Sequence, residues 1–138
     1  MSAQRPDFTE SALDSKTVYR GRLLTVKEDR VRLPDGAESR REYIEHQGAV
    51  MILPLFDDFS VLLEYQYRYP LRAHTWKLPA GKLAAGEERL VCAQRELLEE
   101  TGYVASEWRH LGVLYPCVGY SNERIDLYLA RTAGARRS

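Results

Sequence analysis

The sequence predicts a mixed sheet of the α/β or α+β class, with one amphipathic helix packed on it. Several segments alternate apolar and polar residues or run continuously apolar, as β-strands do, and one segment has the composition of a helix. The predicted strands lie on both sides of this helix in the chain, which indicates a single layer of strands covered by the helix. A length of 138 residues with 44% hydrophobic content suffices for one domain with a core.

The N-terminal third predicts a β-hairpin. Met1 to Asp14 is polar, and we expect it to be loosely held. Thr17 to Leu33 alternates apolar with polar residues, Pro34-Asp35-Gly36 has turn-forming residues, and Glu38 to His46 alternates again. Two strands joined by a tight turn follow from this pattern.

The middle of the chain predicts further strands. Gly48 to Leu55 is almost continuously apolar, which is typical of a strand covered on both faces. Phe56-Asp57-Asp58-Phe59 should turn the chain into Ser60 to Arg68, and we expect these two strands to pair. The other predicted segments are a loop at Tyr69 to Thr75 and strands at Trp76 to Leu78, Glu107 to Leu114 and Ile125 to Ala130.

A loop and a helix occupy the region between these strands. Leu78 to Gly86 is rich in turn-forming and small residues, whereas Glu87 to Thr101 is rich in helix formers and is followed by Gly102, a typical helix terminator. At about 100° per residue, the helix should place its apolar and acidic residues on different sides. The apolar side comprises Leu90, Val91, Ala93, Leu97 and Leu98, and the acidic side Glu96, Glu99 and Glu100.

The acidic side of this helix predicts a metal site. A solvated surface is the ordinary explanation for glutamates on a helix. Here, however, Glu96 and Glu100 repel each other at i,i+4, at a cost of a few tenths of a kcal/mol, and crowd the negative end of the helix dipole. A hard divalent cation such as Mg²⁺ would supply the missing positive charge. Such a cation neutralises and orients a pyrophosphate and activates water for attack on phosphorus.

Composition limits the class of partner. The 20 basic and 20 acidic residues cancel, so the chain lacks the positive field that attracts nucleic acid or anionic membranes, and a small-molecule substrate is favoured. Individual arginines can still bind a diphosphate, or lie solvated at strand edges. The arginines considered are Arg40, Arg41, Arg68 and Arg72.

Cellular location and cysteine chemistry follow from simpler patterns. The N-terminus has no apolar signal region and no run is long enough to span a membrane, so we expect a cytoplasmic protein. Cys92 and Cys117 have no metal-ligand spacing, and we expect them to be reduced packing residues.

The loop and helix together match the pattern G-x5-E-x7-R-E-x-x-E-E-x-G from Gly81 to Gly102. This segment resembles the Nudix box, the signature of hydrolases that cut a nucleoside diphosphate linked to another moiety, although Tyr103 replaces the usual aliphatic residue. The resemblance implies an α/β/α sandwich with a mixed sheet, preceded by an N-terminal β-hairpin region. It divides the chain into residues 1–46, a region exchanged between subunits in a homodimer, and residues 47–138, the hydrolase domain.

The resemblance also assigns roles within the box. Glu96, Glu100 and the backbone carbonyl of Ala80 would be ligands of Mg²⁺, for which Mn²⁺ could substitute, and Glu99 would be a ligand or hold metal-bound water. Glu99 and Glu100 are accordingly predicted catalytic residues. A structural ion pair is implied for Glu87 and Arg95.

Segments outside the box resemble the ADP-ribose pyrophosphatase branch of the family. They are Tyr65-Gln66-Tyr67-Arg68-Tyr69, Leu78-Pro79-Ala80-Gly81-Lys82 and Tyr115-Pro116. The resemblance implies hydrolysis of ADP-ribose to AMP and ribose 5-phosphate, with Arg41 and Arg68 contacting the nucleotide. It also places Glu123 in the pocket as a substrate-binding or catalytic residue, with an exposed loop carboxylate as the alternative.

Two departures from that branch keep alternatives open. Lys77 stands where relatives often carry an acid. After Ala130 only Arg131 to Ser138 remain, whereas relatives continue through a loop, a strand and a long helix. In those relatives the loop often carries the glutamate that is proposed as the general base. The alternatives are hydrolysis of GDP-mannose or another nucleotide sugar, and a shortened binding module with little or no turnover.

Overall fold

The structure is a computed structural model that describes residues 4–132. These residues form nine β-strands, one 3-10 turn and one α-helix. The chain divides into two compact units. The first contains the chain up to residue 46 together with residues 117–122, and the second contains residues 47–116 together with the chain from residue 123 onward. The C-terminal segment 133–138 lies outside the described residues. The prediction of a C-terminally short domain falls on this segment.

The first unit is a three-stranded antiparallel sheet in the order β1-β2-β3. Its strands are β1 (Ser11–Arg20), β2 (Thr25–Arg32) and β3 (Glu38–Glu45). The predicted hairpin corresponds to β2 and β3, and its turn is closed by a hydrogen bond of 2.7 Å from the N–H of Leu33 to the carbonyl of Ala37.

The extent of β1 was not predicted. This strand begins within the segment expected to be loosely held, and the chain turns at residues 21–24, inside the segment predicted as one strand. Every residue of β1 is exposed. The strand is therefore held by backbone pairing with β2, and its side chains carry no buried apolar periodicity that could mark its limits.

The second unit contains a mixed four-stranded sheet in the order β7-β4-β9-β8. Its strands are β4 (Ala49–Phe56), β7 (Ala80–Lys82), β8 (Glu107–Leu114) and β9 (Ile125–Thr132). Strands β4 and β9 are parallel, and the other neighbours are antiparallel. The predicted mixed α/β fold, preceded by an N-terminal antiparallel region, is confirmed.

The predicted pairing of Gly48–Leu55 with Ser60–Arg68 is wrong. The contact between them is confined to a bridge between Leu55 and Val61 and a hydrogen bond of 3.1 Å from Leu62 to Pro54. Strand β9 pairs along one edge of β4, whereas β7 and the carbonyl of Pro79 occupy the other edge over residues 49–52. The Ser60 segment therefore leaves β4 after one bridge.

A separate two-stranded sheet forms from β5 (Glu64–Arg68) and β6 (Ala73–Lys77). The predicted loop at Tyr69 to Thr75 is only partly correct, because a 3-10 turn at Tyr69–Leu71 leads directly into β6. Arg72 makes this possible by adopting a left-handed conformation, with φ of 50°. The predicted strand at Trp76 to Leu78 is the end of β6, which stops at Lys77.

Helix α1 (Arg89–Thr101) begins two residues later than predicted, with Glu88 as its N-cap, and it ends as predicted at Gly102. Gly102 has φ of 76°, and its N–H donates to the carbonyl of Leu98 at 2.9 Å. No helix among residues 4–132 is long and apolar enough to cross a membrane.

The face of the helix that is buried differs from the prediction. Cys92, Ala93 and Leu97 are fully buried, whereas Leu90, Val91 and Leu98 are 39%, 49% and 37% exposed. The buried residues pack on alternate positions of β4 and β9. These positions are Val50, Ile52, Tyr128 and Ala130.

Strand β4 is likewise covered differently from the prediction. Its residues Val50 and Ile52 are buried under the helix, whereas Met51, Leu53 and Leu55 on the opposite face are only half-buried in the described structure. A continuous apolar run therefore does not distinguish one fully buried face from two.

We predict that Leu97→Ala lowers the free energy of unfolding by about 2–5 kcal/mol, because it leaves a cavity under the helix. Leu98→Ala is the matched control and should cost less than about 1 kcal/mol, because this side chain is partly exposed. Urea unfolding followed by circular dichroism measures both. Equal losses for the two variants would contradict the assigned helix face.

Candidate metal and nucleotide site

The rotation of helix α1 places two of the box glutamates next to the sheet. Positions 96 and 100 follow the buried Cys92 at successive intervals of one helical turn. Of the two residues, Glu96 is half-buried and Glu100 is exposed. The side chain of Glu96 is 13% exposed, whereas that of Glu99 is 58% exposed. The three glutamates therefore do not share one solvated face.

Gly81 allows the loop before the helix to approach Glu96. A Cβ atom added at Gly81 would overlap the carboxylate of Glu96, so every other residue would displace either the loop or the side chain. Gly81 also pairs with Val50 in the sheet, which fixes its position from the other side. A close backbone approach is the physical reason for glycine at this point.

Arg95 holds the loop on the helix through a two-pronged ion pair with Glu87. Its Nε and Nη2 atoms donate to the two oxygens of that carboxylate at 2.8 and 3.0 Å. The N–H of Ala84 donates to the same carboxylate at 3.0 Å. The hydrogen bonds from Arg95 and Ala84 lower the pKa of Glu87 to about 2.

The same arginine also contacts two of the predicted metal ligands. Its Nη1 atom lies 3.0 Å from a carboxylate oxygen of Glu96 and 3.0 Å from one of Glu99. The neighbouring carboxylates raise the pKa of Arg95. Within the described range 4–132, no three acidic, histidine or cysteine side chains converge on one point as a ready metal cage.

Glu100 faces away from Arg95, towards the start of β5. Its Oε2 atom accepts a hydrogen bond of 3.4 Å from the N–H of Ala80, and its carboxyl group is within hydrogen-bonding reach of Glu64. Partial burial, together with the adjacent Glu64 carboxylate, raises the pKa of Glu100 to about 8. The positive charge that acts on this carboxyl group is that of Lys77, which opposes the rise in its pKa.

A cleft of about 620 Å³ lies over the loop at Ala80 and Gly81. Six charged side chains of the second unit line it, namely Arg68, Lys77, Lys82, Arg95, Glu96 and Glu123, whereas Glu99 and Glu100 do not. Of the predicted nucleotide contacts, Arg68 and Glu123 thus reach this cleft, whereas Arg41 belongs to the first unit. There its guanidinium forms an ion pair of 2.8 Å with Glu10.

The residues at the loop fit a divalent cation by their chemistry. Carboxylates of Glu96 and Glu100 and the backbone carbonyl of Ala80 are hard oxygen donors. Gly81 lets the Glu96 carboxylate lie against the loop backbone. In addition, Oε1 of Glu64 is buried and has no hydrogen-bond partner within residues 4–132. An unpaired buried carboxylate oxygen beside a second carboxyl group favours a bound cation.

Sequence reasoning missed two acidic residues of the second unit, Glu64 and Asp126. Asp126 is 3% exposed and contacts Arg89 at 3.0 Å, Arg124 at 3.0 Å and His110 at 2.8 Å. Burial opposes its ionisation, but these partners together hold its pKa below the usual value. The sequence signal for Asp126 was its place within the predicted strand Ile125 to Ala130, because an acidic side chain that is buried in a sheet requires polar or cationic partners.

Comparisons with known proteins identify the family of the chain. The Nudix domain model matches residues 45–136, and the model of the nucleoside diphosphate sugar hydrolase N-terminal domain matches residues 10–44. The chain belongs to the Nudix hydrolase family. Within that family it resembles the ADP-ribose pyrophosphatase branch.

Individual relatives support this placement. The chain is 40% identical over 119 residues to an ADP-ribose pyrophosphatase of Mycobacterium tuberculosis, covering 86% of this chain and 58% of that protein. It is 36% identical over 124 residues to a methanol dehydrogenase activator of Bacillus methanolicus, covering 90% of this chain and 67% of that protein. A crystal structure of an ADP compounds hydrolase superposes with a TM-score of 0.79 at 26% identity, covering 93% of this chain and 70% of the other.

We predict that Gly81→Ala weakens divalent-cation binding at least tenfold, because the added methyl group displaces the Glu96 carboxylate. Calorimetric titration with Mn²⁺ measures the change. Gly119→Ala is the control, because nothing lies within 4 Å of a Cβ added there. An unchanged affinity in Gly81→Ala would contradict the role of this close approach.

We predict that Glu87→Gln lowers stability at neutral pH and that the difference from the wild type shrinks in acid. The folded pKa of about 2 lies below the ordinary value of 4.5, so the ion pair stabilises the protein above that ordinary value. Its contribution is lost progressively as the pH falls below 4.5 towards 2. Denaturant unfolding at pH 7, 5 and 3 measures this, with Glu88→Gln as control, and a difference that does not change with pH would exclude the mechanism.

Proposed function

We propose that this protein hydrolyses the pyrophosphate bond of ADP-ribose, releasing AMP and ribose 5-phosphate, with Mg²⁺ as its cofactor. The observation that carries the proposal is the cleft in which Glu96 lies on Gly81 beside Arg68, Lys77 and Glu123. It combines oxygen donors for a cation with cationic groups for a diphosphate. Relatives named as ADP-ribose pyrophosphatases support the choice of substrate.

The cation would be held by residues of the C-terminal half of helix α1 and of the loop that precedes the helix. Glu96, Glu100 and the carbonyl of Ala80 bind it directly, and Glu99 supports them. When bound, Mg²⁺ or Mn²⁺ supplies positive charge to the diphosphate oxygens and activates water. Because Arg95 contacts Glu96 and Glu99 in the described structure, it also balances their charges when the cation is absent.

The substrate is positioned by groups that line the cleft. Arg68 and Lys77 each supply a cation for the diphosphate, and the guanidinium of Arg68 can donate two hydrogen bonds to one phosphate group. Glu123 accepts the proton of the attacking water or orients the substrate. Water adds to one phosphorus, the bridging P–O bond breaks, and the other phosphate leaves with that oxygen.

The N-terminal region contributes through the assembly. Residues 1–46 act as a separate region that exchanges between two copies in a homodimer, and residues 47–138 act as the hydrolase domain. Arg41 would then contact the nucleotide from this region. Sedimentation velocity, compared between the wild type and a variant lacking residues 1–46, tests the dimer independently of the hydrolysis.

A product assay tests the proposed reaction. Purified protein is incubated with ADP-ribose, GDP-mannose or another nucleotide sugar, each with and without Mg²⁺, and the products are separated by chromatography. AMP and ribose 5-phosphate that form only with Mg²⁺ are the expected result. Faster hydrolysis of GDP-mannose than of ADP-ribose would show that GDP-mannose is the preferred substrate. Calorimetric binding of ADP-ribose without product formation would identify a binding module.

We predict that Glu100→Gln reduces Mg²⁺-dependent hydrolysis by several orders of magnitude while the fold is retained. The substitution removes one ligand charge but keeps the size of the side chain. The exposed Glu107→Gln on β8 is the control and should keep wild-type activity. Initial rates and thermal unfolding are measured together, and retained hydrolysis in Glu100→Gln would rule out the assigned metal site.

A further inference from the structure

Lys82 follows Gly81 in the box segment, at a position where the box pattern requires no particular residue. It is the last residue of β7, and its register partner in β4 is Ala49. Its carbonyl oxygen accepts a hydrogen bond of 3.5 Å from Nη2 of Arg95. The next residue, Leu83, is buried. The backbone from which the Lys82 side chain extends is therefore fixed on both sides.

The side chain of Lys82 projects from β7 on the face opposite to Glu96. A Cβ atom added at Gly81 would meet the Glu96 carboxylate, so position 81 faces helix α1. Its register partner Val50 is buried under the same helix. Because successive residues of a strand point to opposite faces, Lys82 and its partner Ala49 face the other side of the sheet. Both Glu96 and Lys82 line the cleft, which therefore extends around the edge strand β7.

The cationic side chains of this cleft differ in whether a carboxylate already neutralises them. Lys77 forms an ion pair of 3.4 Å with Glu64. Arg95 is held by carboxylates of the box at 2.8–3.0 Å. Arg68 and Lys82, in contrast, form no ion pair with a carboxylate within residues 4–132. The positive charges of these two side chains are thus available to a bound anion.

A diphosphate that is esterified at both ends suits such a pair of cations, because each of its phosphate groups carries negative charge. Arg68 and Lys82 can donate to phosphate oxygens without first breaking an ion pair. An exposed lysine is ordinarily only solvated. Lys82, however, lines the same concave cleft as Arg68 and Glu96, and its ammonium group binds phosphate as a compact charge.

We propose that the ammonium group of Lys82 binds a non-bridging oxygen of the substrate diphosphate, from the face of β7 opposite to Glu96. The inference rests on the proposed function, because it concerns the substrate of the same cleft. The diphosphate then crosses the edge of β7, with Glu96 on one side of this strand and Lys82 on the other. Lys82 is accordingly a substrate-binding residue that selects for the charge of the diphosphate.

Binding of an analogue that cannot be hydrolysed tests the proposal apart from turnover. In the α,β-methylene analogue of ADP-ribose, carbon replaces the bridging oxygen and the non-bridging oxygens remain. Calorimetric titration with Mg²⁺ present compares the wild type, Lys82→Gln, Lys82→Arg and Arg109→Gln. The exposed Arg109 of β8 does not line the cleft, so Arg109→Gln is the matched control for the loss of one positive charge.

We expect Lys82→Gln to weaken binding of the analogue about tenfold, because a charge-assisted hydrogen bond is lost from a partly solvated site. Lys82→Arg should retain most of the affinity, and Arg109→Gln should behave as the wild type. With ADP-ribose, Lys82→Gln should raise KM about tenfold and leave kcat nearly unchanged, because the contact is made both before and during bond cleavage.

The Tm and the affinity for Mn²⁺ without nucleotide provide readouts of a structural role. Both should be the same in Lys82→Gln as in the wild type, because the substitution leaves the backbone contacts of β7 in place and removes no ion pair within the described residues. A lower Tm or weaker Mn²⁺ binding that accompanies the lower affinity would identify Lys82 as a structural residue and overturn the proposal.

The remaining outcomes separate this inference from the proposed function. Unchanged analogue binding in Lys82→Gln, with hydrolysis of ADP-ribose by the wild type, would overturn the role of Lys82 alone. Equal losses in Lys82→Gln and Arg109→Gln would also overturn it, because overall charge would then explain the attraction. Binding that depends on Lys82 in a wild type without hydrolysis would support the inference and overturn the proposed reaction. Absence of both binding and hydrolysis would overturn both.

Discussion

The attachment of the loop at residues 80–87 to helix α1 is the contact on which the chemistry of the second unit depends. Two features produce it: the paired hydrogen bonds between Arg95 and Glu87, and the lack of a side chain at Gly81, which lets Glu96 lie against the backbone. The first supplies charge-assisted bonding, and the second supplies space. Together they bring the Ala80 backbone to the same end of the helix as Glu96 and Glu100.

Packing sets the orientation of the helix, and this orientation gives the glutamates unequal environments. Because Cys92, Ala93 and Leu97 pack on the sheet, Glu96 lies at the edge of the core while Glu99 extends into solvent. A carboxylate that is partly removed from water interacts more strongly with nearby charges than one that is solvated. Glu96 therefore interacts more strongly with Arg95 than the solvated Glu99 does, and Glu100 lies beside Glu64.

The acidic side chains near the two ends of helix α1 have different partners. Asp126 is surrounded by Arg89, Arg124 and His110, and this network ties the start of the helix to β9 without need of a ligand. Glu64 and Glu100 have one lysine near them and one oxygen without a partner. The first arrangement is electrostatically complete within the described residues, whereas in the second Oε1 of Glu64 has no hydrogen-bond donor among them.

By itself, the sequence determined the box, the helix that ends at Gly102, the N-terminal hairpin and the mixed α/β class, because glycines, turn residues and charge spacing act over a few neighbouring positions. Tertiary structure alone decided which side of the helix is buried, that β4 pairs with β9 and β7, and that Glu64 meets Glu100. These features depend on contacts between residues far apart in the chain. Local periodicity does not indicate which distant strand pairs with a given strand, or which distant charged side chain contacts a given residue.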